Sequence, residues 1–279
     1  MSVLVTGGTG TTGSRVAAQL RERAAAVRIA TRTPADGDPG QVRFDWADPA
    51  THGPALVGVQ QIYLVAPIGE ANPVPLVEPF LTEALRAGTR RVVLLSSSAI
   101  GEGDSGPGAL HRLVRTSVPE WTVLRPSWFM QNFLHEHLIA VGIRDRGEIV
   151  TATGAGRVAF VDAADIAAVA TRALLDPLPH NTEHVITGPE ALSYADAAAV
   201  IAGATGRPIR HRPVSTAEMV DRFLAAGIPA EFAAVLAGLD EDIRHGAEDR
   251  VTSVVPEITG RPARSFAEFV SAHRAALGG

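Results

Sequence analysis

The sequence predicts a parallel, doubly wound α/β sheet with a small, mostly helical C-terminal lobe. Three observations carry that expectation. Short apolar runs alternate with helix-periodic stretches through the first two thirds of the chain, as βα units on a parallel sheet require. The first run leads straight into a glycine-rich turn and then a helical pattern. From Gly188 onward the alternation gives way to short helical patterns separated by Gly and Pro.

Residues 2–6 (SVLVT) are apolar without alternation, the mark of a strand buried on both faces. Residues 11–23 follow as a helix with Val16, Ala17 and Leu20 on one face. Residues 27–31, 41–44, 61–66 and 91–96 read as four more strands. Between them, residues 75–87 put Val77, Leu81 and Ala84 on one helix face, with Gly88 as the stop. A sixth strand, 121–125 (WTVLR), ends at Pro126. Residues 127–143 read as helix and 148–161 as a pair of short strands around Gly154 and Gly156. Residues 162–175 form a helix striped by Ile166, Val169, Ala170, Ala173 and Leu174, with Asp162 as its N-cap. Residues 183–187 return to the main sheet, and at most two more strands, 208–213 and 251–255, follow. The expected division is a sheet domain over 1–187 and a lobe over 188–279, side by side over a cleft.

Composition removes several function classes. The chain has 279 residues, 46% hydrophobic and 20% charged, with a net charge of −5. That is enough apolar material for a sizeable core. No basic run offers a nucleic-acid surface. No uncharged apolar stretch approaches the ~18–20 residues of a membrane span, and a strand beginning at Ser2 leaves no room for a secretory signal. The expectation is a cytoplasmic monomer or homodimer that acts on a small molecule, without nucleic acid or membrane. With no cysteine there is neither a thiolate nucleophile nor a cysteine-ligated zinc. All 25 basic residues are arginine, so no Schiff base, lysine base or lysine on a cofactor ribose is available. His135 and His137, two apart on an expected helix, face different ways, and no metal site is expected. Asp240, Glu241 and Asp242 read as a solvated acidic turn.

The turn after the first strand reads Gly7-x-x-Gly10-x-x-Gly13. Leaving a strand and opening a helix is the context that makes such a triplet a dinucleotide site, and hence a Rossmann-type domain. Gly7 permits the tight turn, Gly10 lets backbone approach a pyrophosphate and Gly13 allows close packing. Gly7, Thr9, Gly10, Thr11, Thr12 and Gly13 are the expected contacts, with helix N-terminal amides facing the phosphates. At the end of the second strand, where an acid would bind the ribose of NAD, stands Arg32. A guanidinium suits a 2′-phosphate, so the expected cofactor is NADP(H). Asp45 falls near the adenine, or simply caps the helix after it.

Two segments, VLVTGGTGTTGSRV at the start and HRLVRTSVPEWTVLRPSWFMQNF over 111–133, resemble the NmrA-like branch of the atypical short-chain dehydrogenase/reductases. The second resembles the pattern of the ergot-alkaloid-type agroclavine and festuclavine dehydrogenases. The resemblance extends to LSYADAAAVIAGATGRPI in the C-terminal third and weakens from Thr216 on. It implies that Ala66, Pro67, Ser96, Ser97 and Pro126 line the cofactor, and that Arg125 to Phe129 wrap the nicotinamide. It also implies that Ser98 and His111 are the catalytic candidates. A core position for His111 stays open.

One departure from that resemblance matters for chemistry. The usual Tyr-x-x-x-Lys pair would fall near Gly103 and Pro107. The only tyrosines are Tyr63 and Tyr194, neither in that region. A ketone needs a proton donor at the forming alkoxide; an iminium accepts hydride to give a neutral amine and needs none in that step. Trp128 and Phe129 suit a cationic substrate through cation–π attraction, worth ~0.5–2 kcal/mol, or are plain packing. The expected function is NADPH-dependent reduction of an imine, iminium or similarly activated double bond. A non-catalytic NADP(H)-sensing regulator and an NADPH quinone or carbonyl reductase stand as alternatives.

Overall fold

The computed structural model describes residues 2–278. In chain order the elements are β1 (Ser2–Val5), α1 (Gly13–Glu22), β2 (Ala26–Thr31), β3 (Gln41–Arg43), α2 (His52–Leu56), β4 (Gln61–Val65), α3 (Val74–Arg86), β5 (Arg91–Leu95), α4 (Gly106–Ser117) and β6 (Glu120–Pro126). There follow α5 (Leu138–Arg146), β7 (Glu148–Thr151), β8 (Arg157–Val158), α6 (Ala163–Leu175), β9 (Thr182–Ile186), β10 (Leu192–Ser193), α7 (Tyr194–Thr205) and β11 (Arg210–Pro213). The helices α8 (Thr216–Ala225), α9 (Ala230–Arg244), α10 (Val254–Thr259) and α11 (Phe266–Ala272) complete the chain.

Contacts divide it into two compact units: residues 1–126, 163–186 and 257–260, and residues 127–162, 187–256 and 261–279. The second unit is therefore not the consecutive stretch 188–279. It claims 127–162 because β7 pairs in parallel with β11, and β8 pairs antiparallel with β10. Residues 148–161 do hold two short strands, but each takes its partner from far along the chain.

The first unit is a seven-stranded, all-parallel sheet in the order β3-β2-β1-β4-β5-β6-β9, the Rossmann-type arrangement. The chain runs outward from β1 in one direction and then in the other, so the ligand-binding switch point lies between β1 and β4. On one face α2, α3 and α4 bury Leu56, Phe80, Leu81 and Val114 against Leu4, Ile62, Leu64 and Val92 of the strands. On the other, α1 packs against α6. The central strands β1, β4 and β5 are buried on both faces, which is why their sequences lack alternation. Gly88, at φ +100°, ends α3 where expected.

The second unit has its own core, in which Phe133, Phe160, Tyr194, Phe266 and Phe269 meet. Residues 127–143 are not one helix: a short 3-10 turn at Met130–Phe133 precedes α5, and His135 between them has φ +58°. Residues 251–255 form no strand; α10 begins at Val254. No helix among the described residues is long and apolar enough to cross a membrane.

Candidate functional site

The glycine turn is shaped by what its residues lack. Thr6, fully buried, sets its base: its hydroxyl reaches the carbonyls of Tyr63 and Val65, both at 3.2 Å, and accepts from the Val65 N–H at 2.7 Å. This staples the end of β1 to β4. Gly7 then takes φ +59°, a left-handed conformation that disfavours a side chain. A Cβ on Gly13 would stand 2.2 Å from the Gly7 carbonyl oxygen, and one on Gly8 would stand 2.7 Å from Ile29 Cγ2. Gly13 thus packs the helix start onto the turn itself. Gly8 is a fourth required glycine, one that the spacing of the triplet did not single out. Thr9, Gly10 and Thr11 form the exposed rim, while Thr12 is buried ahead of α1. Gly10 donates to the Gly7 carbonyl at 2.9 Å, closing the loop on itself. The result is an exposed backbone cradle at a helix N-terminus, where the dipole favours an anion.

At the neighbouring strand end, Arg32 is exposed and makes no ion pair among the described residues. Its charge is free for an anion. Asp45 is more occupied: its Oδ1 accepts from the Ala47 N–H at 3.0 Å, and its carbonyl lies 3.0 Å from His52 Nε2. The 3-10 turn after it, Pro49–Thr51, is capped by Asp48 instead. Phe44, Trp46, His52 and Phe80 lock this corner by edge and stacked contacts, with Phe44 and Trp46 at 4.9 Å. Ala66 and Pro67 are half-buried past the end of β4.

The serine segment after β5 is held by side chains from elsewhere in the sheet. Ser96 N–H donates to Leu124 O at 2.7 Å and Ser98 N–H to Pro126 O at 2.9 Å, extending the β5–β6 ladder. Arg125 donates from Nη2 to Ser98 O at 2.9 Å and from Nε to Ser97 O at 3.4 Å; its Nη1 pairs with Glu183 at 2.9 Å. Arg125 is therefore a strut behind the serines. Ser97 Oγ accepts from Ala99 N–H at 3.3 Å, and Ser98 is 3% exposed. Ser96 Oγ is buried without a hydrogen-bond partner, so this strand end carries an unmet polar group where a ligand would supply one.

His111 is 2% exposed, on the buried face of α4. Its Nε2 lies 3.7 Å from Glu183 and its Nδ1 has no partner. Burial holds its pKa below the ordinary histidine value, against the pull of Glu183 in the other direction. It is a core histidine, joined to the serine segment through Glu183 and Arg125. Where a Tyr-Lys pair would stand, the turn before α4 instead carries Glu102, bonded at 2.7 and 2.9 Å to Arg115. Tyr63 and Tyr194 are fully buried, and desolvation raises both phenols above their ordinary range.

In the second unit, Trp128 and Phe129 are half-buried. Trp128 O accepts from Val161 N–H at 2.9 Å, and Met130 N–H returns the bond to Val161 O at 2.9 Å. Trp128 leans on the aromatic core of that unit, so part of its surface is packing. Ser127 Oγ lies 3.4 Å from the buried carboxylate of Glu248, a neighbour that no local spacing could reveal.

Residues 7–177 match the profile of the family described as NAD(P)H-binding. An uncharacterized oxidoreductase of Bacillus subtilis, YesF, is 50% identical over 98% of this chain and 95% of its own. Agroclavine dehydrogenase of Claviceps fusiformis is 36% identical, covering 97% and 96%. Among solved structures, an NADPH-dependent quinone oxidoreductase of Escherichia coli, complexed with NADPH, superposes with a TM-score of 0.82. It is 22% identical, covering 97% of this chain and 99% of that one.

Proposed function

The chain belongs to the NAD(P)H-binding family and is an NAD(P)H-dependent oxidoreductase similar to agroclavine dehydrogenase, and on that premise we propose that it uses NADPH to reduce an imine, an iminium or a similarly activated double bond. When bound, the cofactor supplies a hydride from its nicotinamide; the residues of this chain do the rest.

The cradle of Gly7, Thr9, Gly10, Thr11, Thr12 and Gly13 would hold the pyrophosphate, and the Arg32 guanidinium would offer charge-assisted hydrogen bonds to the 2′-phosphate. Asp45, Ala66, Pro67 and Pro126 flank the remainder of the cofactor. Ser96, Ser97 and Ser98 present hydroxyls and backbone at the strand end where the nicotinamide is expected. Trp128 and Phe129 attract a cationic acceptor with their ring faces. His111, deep under α4, acts as a positioning residue that steadies Glu183 and Arg125.

The single observation that carries this reading is the missing acid. No tyrosine or lysine stands where a carbonyl reductase keeps its proton donor, and the nearby His111 is shut away from solvent. An acceptor that already bears positive charge takes hydride and leaves as a neutral amine, without a proton in that step.

The test is NADPH oxidation with a cyclic iminium, a ketone and a quinone of matched size. The iminium is expected to show a kcat/KM at least a hundredfold above the ketone. Equal or faster turnover of the ketone or quinone assigns the enzyme to carbonyl or quinone reduction instead.

A further inference from the structure

Away from the site just described, Asp176, His180 and His184 are spaced four residues apart where α6 ends and the edge strand β9 begins. They form one chain of contacts. Asp176 Oδ2 lies 3.2 Å from His180 Nε2, and His180 Nδ1 lies 3.0 Å from His184 Nε2. The two imidazole planes cross at 85°. The other oxygen of Asp176 pairs with Arg172 at 2.9 Å. In the neutral tautomer that donates from Nε2 to this carboxylate, His180 keeps a lone pair on Nδ1. That lone pair points at the second imidazole.

The loop that brings the rings together is constrained by its two prolines and one side-chain bond. Pro177 and Pro179 precede His180 and restrict the backbone on either side of Leu178. Asn181 turns the chain back at φ +46°, and its Oδ1 accepts from Trp121 N–H at 2.9 Å. The rings are half-buried and the His180 side chain is 14% exposed, so an ion can reach them from solvent. Glu257 adds negative charge on the His184 side.

We propose that His180 and His184 bind a divalent transition-metal ion, with Asp176 orienting His180 from behind. The carboxylate–imidazole–metal order is the usual way a protein fixes the tautomer and direction of a ligating histidine. Distance selects the ion. At metal–nitrogen bonds of ~2.1 Å, two donors at a right angle stand about 3.0 Å apart, and two tetrahedral donors about 3.4 Å. Both rings must first turn so that their lone pairs converge on one ion; if the nitrogens keep their 3.0 Å separation, it suits adjacent positions on a square or octahedral ion, the preference of Ni²⁺ and Cu²⁺. Zn²⁺ requires the nitrogens to separate further, by a few tenths of an ångström, in addition to that turn. On binding, the His184 proton moves from Nε2 to Nδ1, and two nitrogen–metal bonds replace one shared hydrogen bond, with no change in charge on the protein. Among the described residues no group of three or more His, Cys, Asp or Glu gathers for a metal, so water completes the coordination and the affinity is micromolar rather than nanomolar.

The test uses untagged full-length protein, freed of metal with a chelator and titrated with Ni²⁺ by calorimetry beside Zn²⁺ and Mg²⁺. The expected result is one Ni²⁺ per chain, bound more tightly than Zn²⁺, no response to Mg²⁺, and an unfolding temperature raised by several degrees. His184→Ala and His180→Ala are expected to weaken Ni²⁺ at least tenfold, and Asp176→Asn about tenfold, with unchanged circular dichroism. His184→Phe keeps the volume of the ring should the alanine variant unfold. A wild-type protein that takes up no Ni²⁺, or a folded His184 variant that binds it as tightly as the wild type, overturns the proposal.

Discussion

The glycine turn of the first unit and the end of β7 in the second solve the same problem by opposite means. Both must hold a stretch of backbone that has run past its strand. The turn does so by exclusion: left-handed Gly7 and the absent side chains of Gly8 and Gly13 let backbone pack on backbone. At the end of β7 the work falls to side chains. Ala152 N–H donates to Asp240 Oδ2 at 2.8 Å, and Ala152 O accepts from Arg244 Nε at 2.9 Å. Two residues one turn apart on α9 thus replace a strand partner. Arg125 does the same for the carbonyls of Ser97 and Ser98. A sterically defined site tolerates almost no added atom. A tethered site tolerates substitution in proportion to the bonds that remain.

That contrast orders the expected damage. Gly13→Ala puts a methyl 2.2 Å from a carbonyl oxygen that cannot move without the turn. NADPH affinity, measured by fluorescence titration, is expected to fall more than a hundredfold, or the protein to be insoluble. A Gly13→Ala protein that binds NADPH normally would show the turn to be a looser structure than its geometry implies. Arg125→Met removes three tethers but clashes with nothing. The expected loss is ten- to fiftyfold in turnover, with NADPH affinity within threefold of the wild type; a matching fall in both would place Arg125 in cofactor binding.

The smallest effect is a gain. Asp240, 8% exposed, has its pKa raised by burial to about 6 from the ordinary 3.8, against the Ala152 N–H and Arg244, which favour its charge. The folded state therefore holds this proton more tightly than the unfolded one. Stability is lost as pH climbs from about 4 through 6 and is level above. Asp240→Asn cannot ionise and keeps an acceptor for Ala152. It is expected to match the wild type near pH 4 and to exceed it above pH 7 by at most about 3 kcal/mol. Urea unfolding across that range reads the difference, and a variant equally destabilised at every pH would mean that the charge itself does the tethering.

Much of the first unit is legible in the chain, because strand, turn and helix there follow one another within a few residues. The six apolar runs, the return at residues 183–187 and the Gly7-Gly10-Gly13 turn all rest on neighbours in sequence. Asp240 shows the limit. It sits among Glu241 and Asp242 and reads as solvated, yet the helix rotates it under Ala152, 88 residues away. The resemblance puts His111 in the cleft, with a core position as the alternative, and only the packing of α4 shows it buried. The His180–His184 pair is not legible in the chain because its spacing falls in a proline-bent loop, where no helical or strand period says which way a ring points.

The sequence alone determined the parallel sheet and the glycine turn of the first unit, which follow from local sterics and the order of strand, turn and helix. Only the tertiary structure decided which residues join the second unit, which acids are buried and which arginines serve as struts. The reason is physical. A left-handed turn or an apolar strand is set by the residues that form it, whereas burial and hydrogen-bond partners are set by whatever the folded chain brings alongside.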